Sequence, residues 1–556
     1  MKRAWLGVLL LAGWGALLWP LLRRAAGVRG LSVRVAGYPE VSADGKVAIR
    51  FEGATGNARP TIDGAGVGAG ASAPGTTTTL LPGLHTVGLD VMRRRRSAEQ
   101  VHATILAGPF AAGGWARCGA RVGLSQRLLD QRIEPLVSEL VKRSLGDVDD
   151  LPGVSKSTVN LRWTARGMDV DLLVRFVDKT ELTVGSKLAM TVAGDRVLLS
   201  RISAVSARIK GPLVDEALDA YVPSALKKYA PWSLTVLHKV TGKAVRWYAQ
   251  RVAQREASSA IDLELLPAAL GILRLPPPIP LPGAEGASLE LRFCQDGGLR
   301  LEPGQRATVA FDLRVVLPTP PIERLGAPGP VLARGAPVRP PATYPGPDSE
   351  LTIEVSLDAL NAALEGAWRA GVLGHALEDP ALAARLDHDL DPLDFRPRDL
   401  AAPLPPVLTA LAPREGGATL SIAAELAARL APLRGSGRGR DARLFARGTL
   451  AVTLSPDELR VSALPTDVRL TCRAADRARP GGLVLSACYA DLMTLITVAL
   501  KTPGQGGLDD LALPLEAVVP SAPPTSPIAW TVERLALSAP DPAWLRLDAR
   551  ASFRAR

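Results

Sequence analysis

Histidine and cysteine, the residues that most often build metal sites and nucleophilic centres, are scarce in this sequence. The chain of 556 residues contains five histidines and four cysteines. It has no CxxC pair and no HExxH, GxSxG or glycine-rich P-loop motif. The densest polar cluster, Asp387, His388, Asp389 and Asp391, has a single histidine and is typical of a solvated turn. We therefore predict no catalytic residues, no metal and no cofactor, and we expect that the protein is not an enzyme.

The usual signs of nucleic-acid binding are also missing. The sequence has neither zinc-finger spacing nor a long basic helix with interleaved aromatic residues. Its net charge of +11 comes from arginines that are dispersed through alternating strands, which indicates solvated faces. Such a surface also suits anionic lipid headgroups. We predict that nucleic acid is not a partner.

Only one long apolar run occurs, at residues 4–22. As a helix it would be about 28 Å long, close to the thickness of the hydrocarbon core of a bilayer. Arg23 and Arg24 follow it, where a signal peptide would carry a small-x-small cleavage site. Residues 1–27 are therefore predicted to be an uncleaved transmembrane anchor, and a cleaved signal peptide is the alternative. The rest of the chain would lie on one side of the membrane.

The four cysteines help to choose that side. Cys472 ends an alternating strand, and a turn around Pro480 leads into a strand that ends at Cys488. A hairpin centred on Pro480 would place Cys472 and Cys488 opposite each other, close enough for a disulfide, and two unrelated thiols are the alternative. Cys118 with Cys294 is a second candidate pair. A disulfide indicates an oxidising compartment such as the periplasm.

The remaining sequence divides into four parts. Residues 28–110 contain short strand-like segments and turns, which favours a small immunoglobulin-like β domain that acts as a stalk. Residues 318–348 hold ten prolines and are predicted to be an extended linker or crossover. Residues 111–317 and 349–556 each run from a helix through long strands to a second helix and closing strands. The repeated order predicts a duplicated unit.

The first of these units begins with an amphipathic helix. Ser125 can cap it, Pro135 predicts a kink, and it is expected to reach about residue 145. Its apolar stripe contains Leu128, Leu129, Ile133, Leu136 and Leu140. In the strands that follow, apolar and polar residues alternate, so one face of the sheet is apolar and has to be covered.

Residues 349–376 carry the most specific pattern. An alternating strand leads directly into a helix that Ser356 can cap and Gly371 can end. The apolar side of the strand contains Leu351, Ile353 and Val355, and its polar side contains Thr352, Glu354 and Ser356. The apolar stripe of the helix contains Leu357, Leu360, Leu364, Ala367 and Trp368.

Together with Asn361 and residues 370–373, this strand and helix resemble the second half of the bactericidal/permeability-increasing protein family, which belongs to the tubular lipid-binding (TULIP) proteins. The resemblance implies an α+β fold in which two pseudo-repeated, curved antiparallel β-sheets are each wrapped on long helices. These two TULIP-like barrels would follow the small all-β sandwich and the N-terminal transmembrane helix. The resemblance is strongest over residues 349–556, is architectural over residues 111–317, and does not cover residues 1–110.

The same resemblance implies a lipid-binding or lipid-transfer protein, and the predicted anchor and disulfide would place it in the bacterial envelope. Its partners would be the membrane and a phospholipid or another acyl-chain lipid, held in apolar slots between helices and sheets. The candidate lining residues are Leu128, Leu129, Ile133, Leu136 and Leu140 in the first unit and Leu357, Leu360, Leu364, Trp368, Leu492, Leu495 and Ile496 in the second.

Two other functions remain as alternatives. One is a non-enzymatic scaffold of an envelope complex, in which side chains fill the same barrels. The other is an envelope hydrolase, which would need catalytic groups that only folding brings together. The expected location is the inner membrane, with the body of the protein in the periplasm. If the N-terminal segment is cleaved, the protein would instead be periplasmic or secreted.

Overall fold

A computed structural model of the chain describes residues 32–36, 41–52, 58–66, 76–93, 96–135, 138, 154–177, 179–211, 251, 254, 255, 258, 275, 278–280, 286–295, 299–302, 306–317, 329–333, 349–372, 395–432, 440–455, 458–473, 485–487, 511–514 and 528–555. These residues are mostly in β-sheet, and few are helical. The longest described helix has 13 residues, so the predicted wrapping of each sheet on long helices is not supported in these ranges. Residues 1–27, the predicted anchor, lie outside them. Of the helices inside them, none has both the length and the apolar character of a membrane span.

Two small sheets form the first part of the chain. Their strands are β1 (Ser32–Ala36), β2 (Val41–Ser42), β3 (Lys46–Glu52), β4 (Ala58–Ile62), β5 (Ala65–Gly66), β6 (Thr76–Thr79), β7 (Gly83–Arg93) and β8 (Arg96–Ala107). One sheet has the strand order β1-β3-β6 and the other has the order β2-β8-β7-β4-β5. We refer to both together as the small β unit.

The next part begins with a 3₁₀ helix, Ala112–Gly114, and the strand β9 (Ala116–Ser125). Helix α1 (Gln126–Leu128) continues as a π-helical turn, Leu129–Ile133, and residues 134, 135 and 138 are also helical. The Ser125 hydroxyl accepts a hydrogen bond from the Leu128 N–H at 3.2 Å, which confirms the predicted cap. The strands that follow are β10 (Val154–Thr164), β11 (Gly167–Phe176), β12 (Glu181–Ala193), β13 (Arg196–Arg201), β14 (Ser206–Lys210), β15 (Ile279–Pro280), β16 (Ser288–Phe293), β17 (Leu299–Glu302) and β18 (Arg306–Val316).

The last part contains one described helix, α2 (Leu357–Arg369), between the strands β19 (Leu351–Ser356) and β20. Its other strands are β20 (Phe395–Ala401), β21 (Val407–Arg414), β22 (Gly417–Pro432), β23 (Arg440–Leu454), β24 (Glu458–Arg473), β25 (Leu485–Ala487), β26 (Leu511–Pro514), β27 (Ile528–Asp541) and β28 (Trp544–Ala555). The Ser356 hydroxyl accepts from the Ala359 N–H at 3.2 Å, and Gly371 has a φ of +80°. The predicted start and end of this helix are confirmed.

Three further sheets organise these two parts. The first sheet has the order β10-β11-β12-β13, with β14 also paired to β12. The second sheet has the order β20-β22-β23-β24-β25, with β21 paired to β22 and β26 to β24. The central sheet has the order β15-β16-β18-β9-β19-β28-β27, with β17 paired to β18. Since β9 and β19 are antiparallel neighbours, the two halves of the chain share one sheet.

The burial of β19 differs from a simple apolar-in pattern. Its polar residues Thr352 and Glu354 are 3% and 6% exposed, whereas its apolar residues are only half-buried. Glu354 lies between Arg121 of β9 and Arg546 of β28 in the strand register. The Thr352 hydroxyl donates to Asp548 at 2.7 Å, and Arg546 donates to the same carboxylate at 2.7 Å. Opposite charges on neighbouring strands allow this polar face to be buried.

The small β unit packs against the second sheet. Leu84 of β7 lies in one apolar cluster with Trp368 of α2 and Phe445 of β23. At the edge of this contact, Oδ1 of Asp63 lies 2.9 Å from Nη2 of Arg447, and Arg447 also donates to the Leu84 carbonyl at 3.2 Å. The small β unit is therefore joined to the second sheet by apolar and charged contacts, and its role as a stalk stays a prediction.

The described part of the proline-rich stretch, residues 329–333, belongs to the same junction. Val331 is 2% exposed and packs in the cluster that contains Trp368. The Leu332 N–H donates to the Pro109 carbonyl at 2.9 Å, which ties the crossover to the end of the small β unit. Residues 329–333 are thus packed between the end of the small β unit and the cluster that contains Trp368.

One predicted disulfide is present in the structure. Cys118 of β9 is bonded to Cys294, next to β16, with a Cα–Cα distance of 5.2 Å and a sequence separation of 176. The Cys118 N–H also donates to Asp312 at 2.6 Å. For the other pair, the register of β24 and β25 places Ser486 opposite Cys472, so the expectation that Cys488 lies directly opposite is wrong. Cys488 is outside the described residues, and that pairing stays a prediction.

We expect that removing the Cys118–Cys294 bond lowers the free energy of unfolding by about 2–5 kcal/mol, because the bond closes a very long loop in the unfolded chain. Denaturant unfolding of the double variant Cys118→Ala/Cys294→Ala measures this loss. Either single variant removes the same bond and should lose nearly as much as the double variant. Two small, additive losses would contradict the expectation.

The Asp63 carboxylate should make the junction sensitive to acid. Burial alone would raise the pKa of Asp63, but hydrogen bonds from His85 and Thr86 and the charge of Arg447 outweigh it and lower this pKa below 3.8. A carboxyl with a lower pKa in the folded state stabilises that state above its unfolded pKa, and this contribution disappears as the pH falls through the folded pKa.

Asp63→Asn should therefore cost about 1–2 kcal/mol of stability at pH 7 and cost less at pH 3, as measured by denaturant unfolding at both pH values. Asp44→Asn is the matched control, since Asp44 lies in an exposed turn of the same unit. Equal losses for Asp63→Asn at both pH values would contradict the role assigned to Asp63.

Candidate functional site

Helix α2 places three of the predicted lining residues on one apolar surface. Leu357, Leu360 and Leu364 pack against Leu408 and Leu420 of the second sheet. Leu357 is buried, and Leu360 and Leu364 are half-buried. These three residues therefore form one side of an apolar layer between α2 and the second sheet.

Trp368 lies in a different place from the other three. It belongs to the cluster at the junction with the small β unit, where its indole N–H donates to the Ala402 carbonyl at 2.6 Å. The structure thus separates Trp368 from the layer that Leu357 begins. The remaining predicted residues of this unit, Leu492, Leu495 and Ile496, lie outside the described residues.

The opposite side of α2 contacts the central sheet. Ala359 and Ala362 pack with Ala116 and Leu313. Gly366 lies so close to Val315 that a Cβ atom at position 366 would overlap the valine side chain. Small residues on this side let the helix approach the central sheet closely.

Asn361 fixes α2 to the second sheet. Its side-chain amide donates to the Leu408 carbonyl at 3.0 Å and accepts from the Leu408 N–H at 2.8 Å, in the manner of a neighbouring strand. The same amide contacts the Val331 carbonyl at 3.4 Å. Because Asn361 is 2% exposed, these backbone groups have no access to water as an alternative partner.

One buried carboxylate lies on α2. Glu365 pairs with Arg369 one turn further along the helix. Burial raises the pKa of Glu365, although the charge and the hydrogen bond of Arg369 act against this rise.

The inner face of the second sheet extends well beyond α2. The face that carries Leu420 continues through paired apolar residues, which are Leu420 with Leu450, Ala424 with Ala446 and Leu426 with Leu444. With 16 residues, β22 is roughly 50 Å long, whereas the 13-residue α2 is roughly 20 Å long. Leu426 and Leu444 lie toward the far end of this face and are half-buried.

The first sheet also has one apolar face. Its buried centre consists of Val159, Leu161, Met168, Val170, Val184, Leu188, Val205 and Ala207. Four half-buried residues pack against this centre, which are Trp163, Leu172, Leu182 and Met190. The opposite face carries polar residues such as Asn160 and Arg162. The predicted alternation of β10 and β11 is confirmed.

The helical stretch that α1 begins contacts this sheet at Glu134. Leu128 and Leu129 are buried, while the side chain of Ile133 and all of Leu136 and Leu140 lie outside the described residues. Glu134 accepts a hydrogen bond from the Leu161 backbone. Burial and the negative charge of Asp130 nevertheless raise the pKa of Glu134.

Charged groups on the central sheet are mutually paired. Arg292 donates to Asp312 at 2.8 Å, and Arg314 donates to Glu290 at 2.7 Å. Both guanidinium groups lie over the ring of Trp115, at 4.0 Å and 4.4 Å from its centroid. These contacts lie close to the Cys118–Cys294 bond, because Asp312 also accepts from the Cys118 N–H.

In the described ranges, one group of side chains has the spacing of metal ligands: Cys118, Cys294 and Asp312. Both sulfurs are in the disulfide, so neither can serve as a thiolate ligand. This cluster therefore has a structural role, because the disulfide links β9 to the end of β16.

The alternation of apolar and polar residues in the predicted strands could also have pointed to apolar residues of the sheets, which our prediction left out. The predicted set came only from helices, whereas the apolar faces of the sheets also carry half-buried residues such as Leu172, Leu182 and Leu426. Each of them lies on the apolar side of an alternating strand, and period-2 alternation could have identified them.

Comparison with known proteins gives similarity at the level of structure. No family model and no curated protein matches this sequence. The chain is similar to a crystal structure of lipopolysaccharide binding protein, with 12% sequence identity, a TM-score of 0.30, and coverage of 79% of this chain and 99% of that chain. It is also similar to the crystal structure of P47 of Clostridium botulinum E1, with 8% identity, a TM-score of 0.23, and coverage of 78% of this chain and 98% of that chain.

Proposed function

We propose that the protein binds lipids with long acyl chains and holds them against the apolar inner faces of the first and second sheets. The observation that carries the proposal is the extent of these faces: each sheet presents a long, mainly apolar side with half-buried residues at its borders. The opposite side of the first sheet is polar.

The free-energy cost of exposing an acyl chain to water explains why a long apolar face would bind lipid. Burial of each CH2 group is favourable by about 0.8 kcal/mol, so a chain of about 16 carbons costs on the order of 13 kcal/mol to expose to water. An elongated apolar face removes that cost along the whole chain. Long strands supply such a face because their side chains on one side repeat every second residue.

The disulfide supports the proposed location. Cys118–Cys294 is a bond that persists in oxidising compartments, and the periplasm is one of them. The proposal therefore includes an envelope protein that is tethered by residues 1–27, with its body in the periplasm.

A scaffold without lipid is the second candidate. The tight packing of α2 favours it, because Gly366 is in close contact with Val315 and Leu357 is fully buried. In that case side chains alone would fill the layer next to α2.

Organic extraction of the gently purified protein, followed by mass spectrometry, tests the proposal. We expect co-purifying acyl lipid in a stoichiometric amount. A protein that carries no lipid and takes up no fluorescent acyl chains would favour the scaffold.

A matched pair of variants locates the lipid on the first sheet. Leu172 faces the apolar side of β11 and Leu173 the polar side, and both are half-buried. Leu172→Gln should weaken uptake of fluorescent acyl chains about tenfold, because it places a polar amide on the lipid-binding face. Leu173→Gln should leave uptake unchanged. Equal effects of the two substitutions would contradict the assigned face.

A further inference from the structure

Several polar side chains interrupt the apolar face of the first sheet, and Trp163 and Ser186 are the two that lie beside its buried centre. Trp163 stands opposite Met168, and Ser186 stands opposite Val170, so both side chains project from the same face as the buried cluster of Val170 and Leu188. Trp163 is half-buried and packs against that cluster, while Ser186 is 4% exposed. This face therefore carries hydrogen-bonding groups within an apolar surface.

Neither group has a hydrogen-bond partner in the part of the chain that the structure describes. The indole Nε1 of Trp163 and the Oγ of Ser186 are both buried from solvent and unbonded there. Most buried polar side-chain atoms in proteins do have a partner, since an unmade hydrogen bond in an apolar environment is costly. Phenylalanine and alanine would fill the same space without that cost.

We propose that these two groups donate hydrogen bonds to the ester carbonyls of a bound lipid. The inference rests on the proposed function, and it narrows the ligand class to acyl esters. An indole N–H is a donor only, and a serine hydroxyl can donate, so the missing partner of Trp163 has to be an acceptor.

The surroundings determine what kind of acceptor fits. The residues around the two donors are Val159, Leu161, Met168, Val170, Leu172, Val184 and Leu188, which are all apolar. Arg201 of β13 projects from the same face, opposite Leu188, but it is exposed. A phosphate or carboxylate beside Ser186 would therefore be buried among apolar side chains, which is strongly unfavourable. A carbonyl oxygen at the head of a hydrocarbon chain is neutral, and the chain that follows it suits the valine and leucine side chains.

The placement of the donors also sets the depth of the ligand. Trp163 lies near the end of β10, one residue before Thr164, and Ser186 lies in the middle of β12. A carbonyl bound at these positions would leave the acyl chains along the remaining apolar rows and the headgroup beyond Trp163. The hydrogen bonds from Trp163 and Ser186 would then fix the position of the ester groups along the sheet.

The test compares two lipids that differ only in the proposed acceptor. One is a diacylphosphatidylcholine with 18-carbon chains, and the other is its diether analogue, which lacks both carbonyls. Binding of each to the full-length protein is measured by displacement of a fluorescent fatty acid. We expect wild-type protein to prefer the ester lipid about tenfold, the value of one or two net hydrogen bonds.

The variants assign that preference to the two side chains. Trp163→Phe and Ser186→Ala each remove one donor and should each reduce the ester-to-ether ratio about threefold. Met190→Leu is the matched control for the ratio, because it changes a half-buried side chain of the same face that has no donor, and it should leave the ester-to-ether ratio at the wild-type value. A partly misfolded variant would lose both lipids together, so the ratio still reports on the hydrogen bonds.

The outcomes separate this inference from the proposed function. Equal affinity of the wild-type protein for both lipids, or equal losses of both lipids in the variants, would overturn the ester assignment and leave lipid binding intact. Binding of neither lipid would overturn the proposed function and the ester assignment together.

Discussion

Helix α2 has to satisfy two sheets at once, and the rest of the second half of the chain follows from this constraint. On one side Gly366 and two alanines bring the helix close to the central sheet. On the other side Asn361 binds the backbone of Leu408, so the distance to the second sheet is also set. These contacts fix the position of the helix between the two sheets, and its 13 residues make it much shorter than the 16-residue strand β22.

The central sheet explains why the two halves are not independent. It takes strands from both of them, and its middle strands carry charges that are buried only because opposite charges stand next to them. Removal of one partner would leave the other charge buried and unpaired, which is far more costly than losing a surface ion pair. The central sheet thus buries polar residues of β19 on one face, while the face of β19 that carries Val355 packs with the apolar cluster of Ala116, Leu313 and α2.

The parts of the fold that depend on local chemistry could be predicted from the sequence, and those that depend on distant contacts could not. Ser356 and Gly371 mark the ends of α2 because caps act within one turn. The alternation in β10 and β11 reports which face is apolar. Pairing of β9 with β19, however, joins residues more than 200 positions apart, and nothing local to Thr352 or Glu354 indicates that a charged neighbour will bury them. The prediction that Cys488 lies directly opposite Cys472 was wrong for a similar reason, because the strand register depends on where the hairpin turns.

The central claim is that the inner faces of the sheets, and not their outer faces, contact the lipid. Photo-crosslinking with a phospholipid that carries a diazirine in its acyl chain, followed by residue-level mass spectrometry, tests this claim most directly. The account predicts label on inner residues such as Val170 and Leu172 of β11 and Leu426 of β22. Label on the alternate residues Asp171 and Leu173, or label absent from both sheets, would contradict it.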